Sequence, residues 1–187
     1  MDSLQLIADL SKTLRQQIDR TNIIRQLPAE ALLQRPAPGK WNTVEVFEHM
    51  NLSSGVYLNG LGSEFEKGAG AFSFNSEFKP GWLGNYFTNA MRPRANGDIS
   101  WRMKTMRMFD PPRNQGASTQ SLDRFVQMSE RFIALLNRAK RTDLNRLRVI
   151  STLGPLVRFK AGDAFRFPIA HQERHFQQIE RVLASTV

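Results

Sequence analysis

Apolar positions along the chain step mostly by three and four, the period of a helix with one buried face. Leu4, Ile7, Leu10, Leu14 and Ile18 give a first helix that ends before Pro28. Residues 29–34 form a short turn or helix ahead of the Pro36-Ala37-Pro38-Gly39 breaker. A second helix opens at Asn42, with Glu45 three residues on in capping-box spacing. Val44, Val46, Phe47, Met50, Leu52, Val56, Tyr57, Leu58 and Leu61 make it broadly apolar, and Gly60, Gly62, Gly68 and Gly70 mark where it frays. The third helix has the cleanest stripe, Leu122, Phe125, Val126, Phe132, Ile133 and Leu136. Gly154-Pro155 then breaks the chain before a last helix over roughly 161–185. Four long helices with one very long second connection predict an all-α, single-domain four-helix bundle with a crossover.

That connection, residues 68–117, is rich in Gly, Pro and Asn and holds six aromatics: Phe72, Phe74, Phe78, Trp82, Tyr86 and Phe87. A structureless stretch of this length is unusual in a compact domain. Short helices are therefore expected around 82–92 and 99–107, with the aromatics pinned on the bundle and roofing any site beneath. Arg138, Lys140, Arg141, Arg146 and Arg148 read as a solvated helix end, where cations suit the helix dipole.

Composition narrows the class. The chain has 187 residues, of which 41% are hydrophobic and 23% charged, values of a globular domain with a core of its own. Cysteine is absent, which removes disulfides, zinc–thiolate sites and cysteine nucleophiles. No apolar run approaches the ~18 residues of a membrane span, and Met1-Asp2-Ser3 does not start a signal peptide. The expectation is a soluble cytoplasmic protein without a membrane partner. Net charge is +9, with −1 on residues 1–67 and +10 on residues 68–187. A basic half suits nucleic acid, anionic lipid or an anionic small substrate. No fingerprint of a nucleic-acid module accompanies it, so nucleic acid is not the expected partner.

With only three histidines, their positions are informative. His171 and His175 are four apart, about 400° on a helix, and share one face. Ala164, Phe167, Pro168, Gln178, Ile179 and Val182 cluster around them, so the face is the buried one. Two buried imidazoles without partners are costly, and one metal ion satisfies both. His49 sits on a largely apolar face of the second helix, and facing helices of a bundle can bring it to the pair. Three neutral imidazoles with an open fourth position make a catalytic-type metal site. Nitrogen-only ligation suits zinc or nickel, and iron, cobalt and copper are also compatible. The site is not a zincin, because Gln172 stands where the general-base Glu would follow the first His, and Glu173 points away.

The segment Trp41-Asn42-Thr43-Val44-Glu45-Val46-Phe47-Glu48-His49-Met50 resembles the W-S/T/N-x-x-E-x-x-x-H motif of DinB/YfiT-like proteins. The tail His171-Gln172-Glu173-Arg174-His175-Phe176-Gln177-Gln178-Ile179 resembles their C-terminal H-x-x-x-H helix with its trailing Gln-Ile. Residues 104–111, followed by a helix, resemble the segment before the family's third helix. The resemblance implies a four-helix bundle of up-down-down-up topology, a divalent metal on His49, His171 and His175, and a homodimer. Some members are thiol S-transferases, others are labelled metal-dependent hydrolases, and many have no established activity. Pro168, three residues before His171, departs from the pattern: either the helix starts near it or bends there.

Three functions remain open on the sequence. In the first, the metal binds a low-molecular-weight thiol as thiolate, which attacks an electrophilic small molecule. The sulfur comes from a co-substrate, and Arg174 is the first arginine to examine for an anionic thiol. In the second, metal-bound water hydrolyses an amide or ester, with Glu45 the nearest candidate acid; its plainer role is a helix cap. In the third, the bundle is a non-enzymatic binding module.

Overall fold

The computed structural model describes residues 1–68, 72–93, 104–114 and 116–185. Its elements are α1 (Ser3–Ile24), α2 (Ala29–Leu33), α3 (Thr43–Gly68), α4 (Trp82–Met91), a 3-10 turn (Arg107–Phe109), α5 (Pro111–Asn114), α6 (Gln120–Ala139), β1 (Arg148–Ser151), β2 (Gly154–Lys160) and α7 (Ala161–Ala184). The protein is mainly helical, as the periodicity predicts. Among the described residues, no helix is long and apolar enough to cross a membrane.

The long helices α1, α3, α6 and α7 share one core. α3 packs on α6 and α7, and α1 packs on the same two. Ile7 and Leu14 of α1, Phe47 and Leu61 of α3, Phe132 and Leu136 of α6, and Phe165 and Ile179 of α7 are sealed from solvent. Phe47, Phe125 and Phe176 tie three helices together edge to face, with ring centroids 5.4, 5.6 and 5.9 Å apart. Such pairs add to what their buried area contributes.

α3 starts where its capping box predicts. The Glu45 N–H donates to Asn42 Oδ1 at 2.9 Å, and the Asn42 N–H donates to Glu45 Oε2 at 3.0 Å. Two orphan donors of the first turn are thereby satisfied reciprocally. Arg35 pairs with the other carboxylate oxygen.

The chain between α6 and α7 is a correction to the sequence reading. The break at Gly154-Pro155 is part of an antiparallel hairpin, with Val149 opposite Phe159 and Ile150 opposite Arg158. Val149 and Phe159 are buried, while Ile150 and Arg158 face out, the alternation of a half-buried strand. The hairpin lies against α3 so closely that a Cβ on Gly60 would sit 2.6 Å from Val149 Cγ1. The basic stretch is likewise more than a solvated helix end. Arg138 donates to the Phe65 carbonyl at 3.0 Å, and Arg146 lies over the Phe72 ring at 5.1 Å. Arg148 begins β1 and holds the carbonyls of the preceding turn.

The long second connection is pinned at several points. It first returns to the start of α1, where the Phe78 N–H donates to the Met1 carbonyl at 2.9 Å and the Ser3 N–H to the Ser76 carbonyl at 2.8 Å. α4 then packs on α7. A buried ion pair fixes it there: Arg166 donates to Asp163 at 2.8 Å and to Asn85 at 3.0 Å, and the Gly81 N–H donates to Asp163 at 2.7 Å. The helix expected at 82–92 is present. Of the one expected at 99–107, residues 99–103 lie outside the described residues, and 104–106 are not helical. The aromatics divide. Phe78 is buried, but Trp82 is 81% and Tyr86 57% exposed.

Candidate metal centre

α3 and α7 supply the three histidines, and each arrives with its Nε2 turned inward. His49 lies in the second turn of α3, behind the capping box, so the cap fixes its height along the helix. His171 and His175 lie one turn apart on α7, which runs unbroken through Pro168. The His171 and His175 Nε2 atoms are 3.0 Å apart, and those of His171 and His49 3.4 Å. One ligand atom from each falls within 4.8 Å of the others.

The outward nitrogens account for this orientation. The His49 Nδ1–H donates to the Phe109 carbonyl at 2.8 Å, and the His175 Nδ1–H donates to Gln178 Oε1 at 2.9 Å. With the proton held on Nδ1, each ring presents its Nε2 lone pair to the centre. Phe167 stacks parallel to His171 at 6.3 Å, and the Trp41 ring lies 5.0 Å from that of His49.

Burial disfavours the charged form of all three rings. Burial pushes His171 and His175 well below the ordinary value of 6.5, and the neighbouring imidazoles and Arg174 push the same way. Burial also lowers His49, against the Phe109 hydrogen bond and the Asp110 charge. Neutral imidazole is the form that ligates a metal. The spacing suits one as well: a tetrahedral zinc with nitrogens at its usual bond length separates them by about 3.3 Å. Without a shared cation or proton, lone pairs 3.0 Å apart repel. Donor type, tautomer and spacing thus all fit a divalent ion.

The centre opens into a cavity of about 110 Å³. Phe167, Met91, Met106, Phe109 and Leu153 give it an apolar lining, and Ser53, Ser54, Tyr57 and Thr152 supply hydroxyls. Its charged lining residues are Lys104 and Arg174, with no carboxylate among the described ones. Burial raises the Tyr57 pKa, so its phenol stays protonated, and its oxygen accepts the Thr152 N–H at 3.1 Å.

The structure brings His49, His171, His175 and Arg174 to one place. It keeps Glu45 out of the cavity lining, with both carboxylate oxygens engaged by Asn42 and Arg35. Gln172 is buried and donates to Ser54 Oγ at 3.0 Å. Glu173 faces α1, where it accepts from Gln17 at 2.7 Å. None of the six aromatics expected as a roof lines the cavity; residues 104–106, Phe109, Met91 and the Thr152–Leu153 turn do. Gln178 was legible, three residues past His175 on the same face. The Phe109 carbonyl was not, because a main-chain acceptor leaves no mark in the side-chain pattern.

Neither the curated proteins nor the solved structures contain a match to the chain. Comparison with protein families matches residues 13–179 to the DinB superfamily. The match spans most of the chain, including all three histidines, and on it the chain belongs to the DinB superfamily.

Proposed function

We propose that His49, His171 and His175 hold one divalent ion, zinc or nickel, and that the protein is a low-molecular-weight thiol S-transferase. The observation that carries this reading is the convergence of three Nε2 atoms on the wall of a cavity whose described lining offers no carboxylate. The ion, when bound, supplies Lewis acidity that lowers the pKa of a thiol or a water. The chain's own residues supply the rest. Gln178 and the Phe109 carbonyl aim the imidazoles of His175 and His49, and Phe167, Met91 and Leu153 give the cavity apolar lining.

The lining favours thiol transfer over hydrolysis. A thiol that ionises on binding needs no general base, whereas cleavage of an amide or ester also calls for an acid at the leaving group. The sulfur comes from a co-substrate, since the chain has no cysteine. Hydrolysis remains the second reading because of Tyr57, a protonated phenol in the same cavity. The up-down-down-up helix order and a homodimer complete the proposal, both on family resemblance.

The test is elemental analysis of untagged protein beside His49→Ala, followed by assays. One zinc or nickel per chain, lost in the variant, with chelator-sensitive consumption of a thiol in the presence of an electrophile, is the expected result. Turnover of an ester or amide without thiol selects hydrolysis. Absence of metal from both proteins, with no uptake on titration, leaves a binding module.

A further inference from the structure

The described lining of the cavity carries two cations and no carboxylate. Arg174 lines the cavity together with His49, His171 and His175. One of its N–H groups donates to Met91 Sδ at 3.8 Å, a weak acceptor. Lys104 adds a second cation to the lining. Asp110 acts electrostatically on His49, but it is not among the lining residues. The described lining therefore joins two cations to three imidazoles, and any divalent ion raises the positive charge further.

Another part of the lining has a different character. From His171 the parallel ring of Phe167 leads to Tyr57, 5.5 Å beyond, and Leu153 closes that side. This is a surface for carbon, not charge.

We propose that the ligand of this cavity carries an oxyanion group, a carboxylate or a phosphate, held by Arg174 with Lys104, and an apolar body against Phe167, Tyr57 and Leu153. The proposal deepens the reading above by naming the substrate class of the same site. It needs only the position and charge of Arg174, because a guanidinium has five donors and can serve an anion beside its other contacts.

Titration calorimetry tests it, with succinate as probe, succinamide as its neutral isostere and inorganic phosphate as the second oxyanion. Each is titrated into zinc-treated and metal-free protein, into Arg174→Gln and into Arg174→Lys, with zinc content and Tm recorded for every sample. The expected result is binding of succinate or phosphate but not succinamide. Arg174→Gln should weaken it by roughly tenfold to a hundredfold, with Arg174→Lys intermediate and zinc content unchanged. Binding of phosphate alone supports the proposal with phosphate as the group. Succinamide binding as tightly as succinate, Arg174→Gln binding like the unsubstituted chain, or no oxyanion binding at all overturns it. Failure to take up zinc sinks the metal reading alone, because the metal-free titrations still decide the oxyanion.

Discussion

His171 and His175 hold their Nε2 atoms 3.0 Å apart on α7, while Gln178 fixes the proton of the second ring on its far side. The His175 lone pair therefore faces the His171 Nε2 at this distance, an arrangement that a shared cation satisfies. Removing one of the two rings should abolish stoichiometric binding. His175→Ala is expected to lose its zinc on dialysis, and added zinc should no longer raise its Tm. For the unsubstituted protein, zinc at a thousand times its Kd should add about 4 kcal/mol of stability. Equal zinc content in the two proteins would put the ion elsewhere.

Gln178 is a positioning residue whose effect passes through His175. Gln178→Leu keeps the approximate volume and removes the acceptor. Outer-shell losses of this kind typically weaken metal affinity by about 10–100-fold. A competition titration against a chromophoric chelator measures it, and Gln178→Glu, which restores an acceptor, should recover most of the loss. Unchanged affinity in Gln178→Leu would show that packing alone orients the ring.

The metal-free protein should lose stability on mild acidification. His171 and His175 have folded pKa values below that of the unfolded chain, so the fold rejects protons that the unfolded state accepts. Their contribution is present above about pH 6.5 and is lost as pH falls below it, at up to about 1.4 kcal/mol per pH unit for each ring. Thermal melts between pH 7.5 and 5.5 read this directly. His171→Gln should flatten the slope; an equally steep slope in that variant would assign the effect to other groups.

Glu45 separates a cap from an acid. Both its oxygens are committed to the start of α3 and to Arg35, so Glu45→Ala should cost about 1 kcal/mol or more of stability. Zinc content should stay at the level of the unsubstituted protein. A normal Tm together with lost turnover would reinstate the carboxylate as a catalytic group.

α4 depends on the absence of a side chain at residue 84. A Cβ there would lie 2.5 Å from Asp163 Cγ, in the buried ion pair with Arg166. Gly84→Ala should therefore destabilise by about 1–3 kcal/mol, seen as a lower Tm. Faster amide exchange across residues 82–91 would locate the damage.

The four long helices were legible because each buries one stripe at helical spacing, and α3 announced its start through Asn42 and Glu45. The three-histidine cluster was legible because two of its members share a helix face among buried residues. The hairpin was not read, although Leu147, Val149 and Ser151 are buried and Arg148 and Ile150 exposed. Arginines at 146 and 148 made that alternation look like a charged helix end, and four residues of strand are too few to outweigh it. The Asp163–Arg166 pair was hidden for a different reason. Three-residue spacing of opposite charges on a helix ordinarily marks a solvated face, and only α4 laid over it makes it interior. Trp82 and Tyr86 illustrate the converse, since aromatic type alone does not tell which side of a short helix is covered.

The bond from His49 to the Phe109 carbonyl makes part of the centre tolerant of substitution. Every residue type offers the same main-chain oxygen, so replacements at position 109 that keep the 3-10 turn retain the orienting bond. Insertions or deletions between residues 104 and 111 instead shift the oxygen along the chain and release the ring. Among diverging copies of this gene, the segment should therefore be variable in composition but fixed in length.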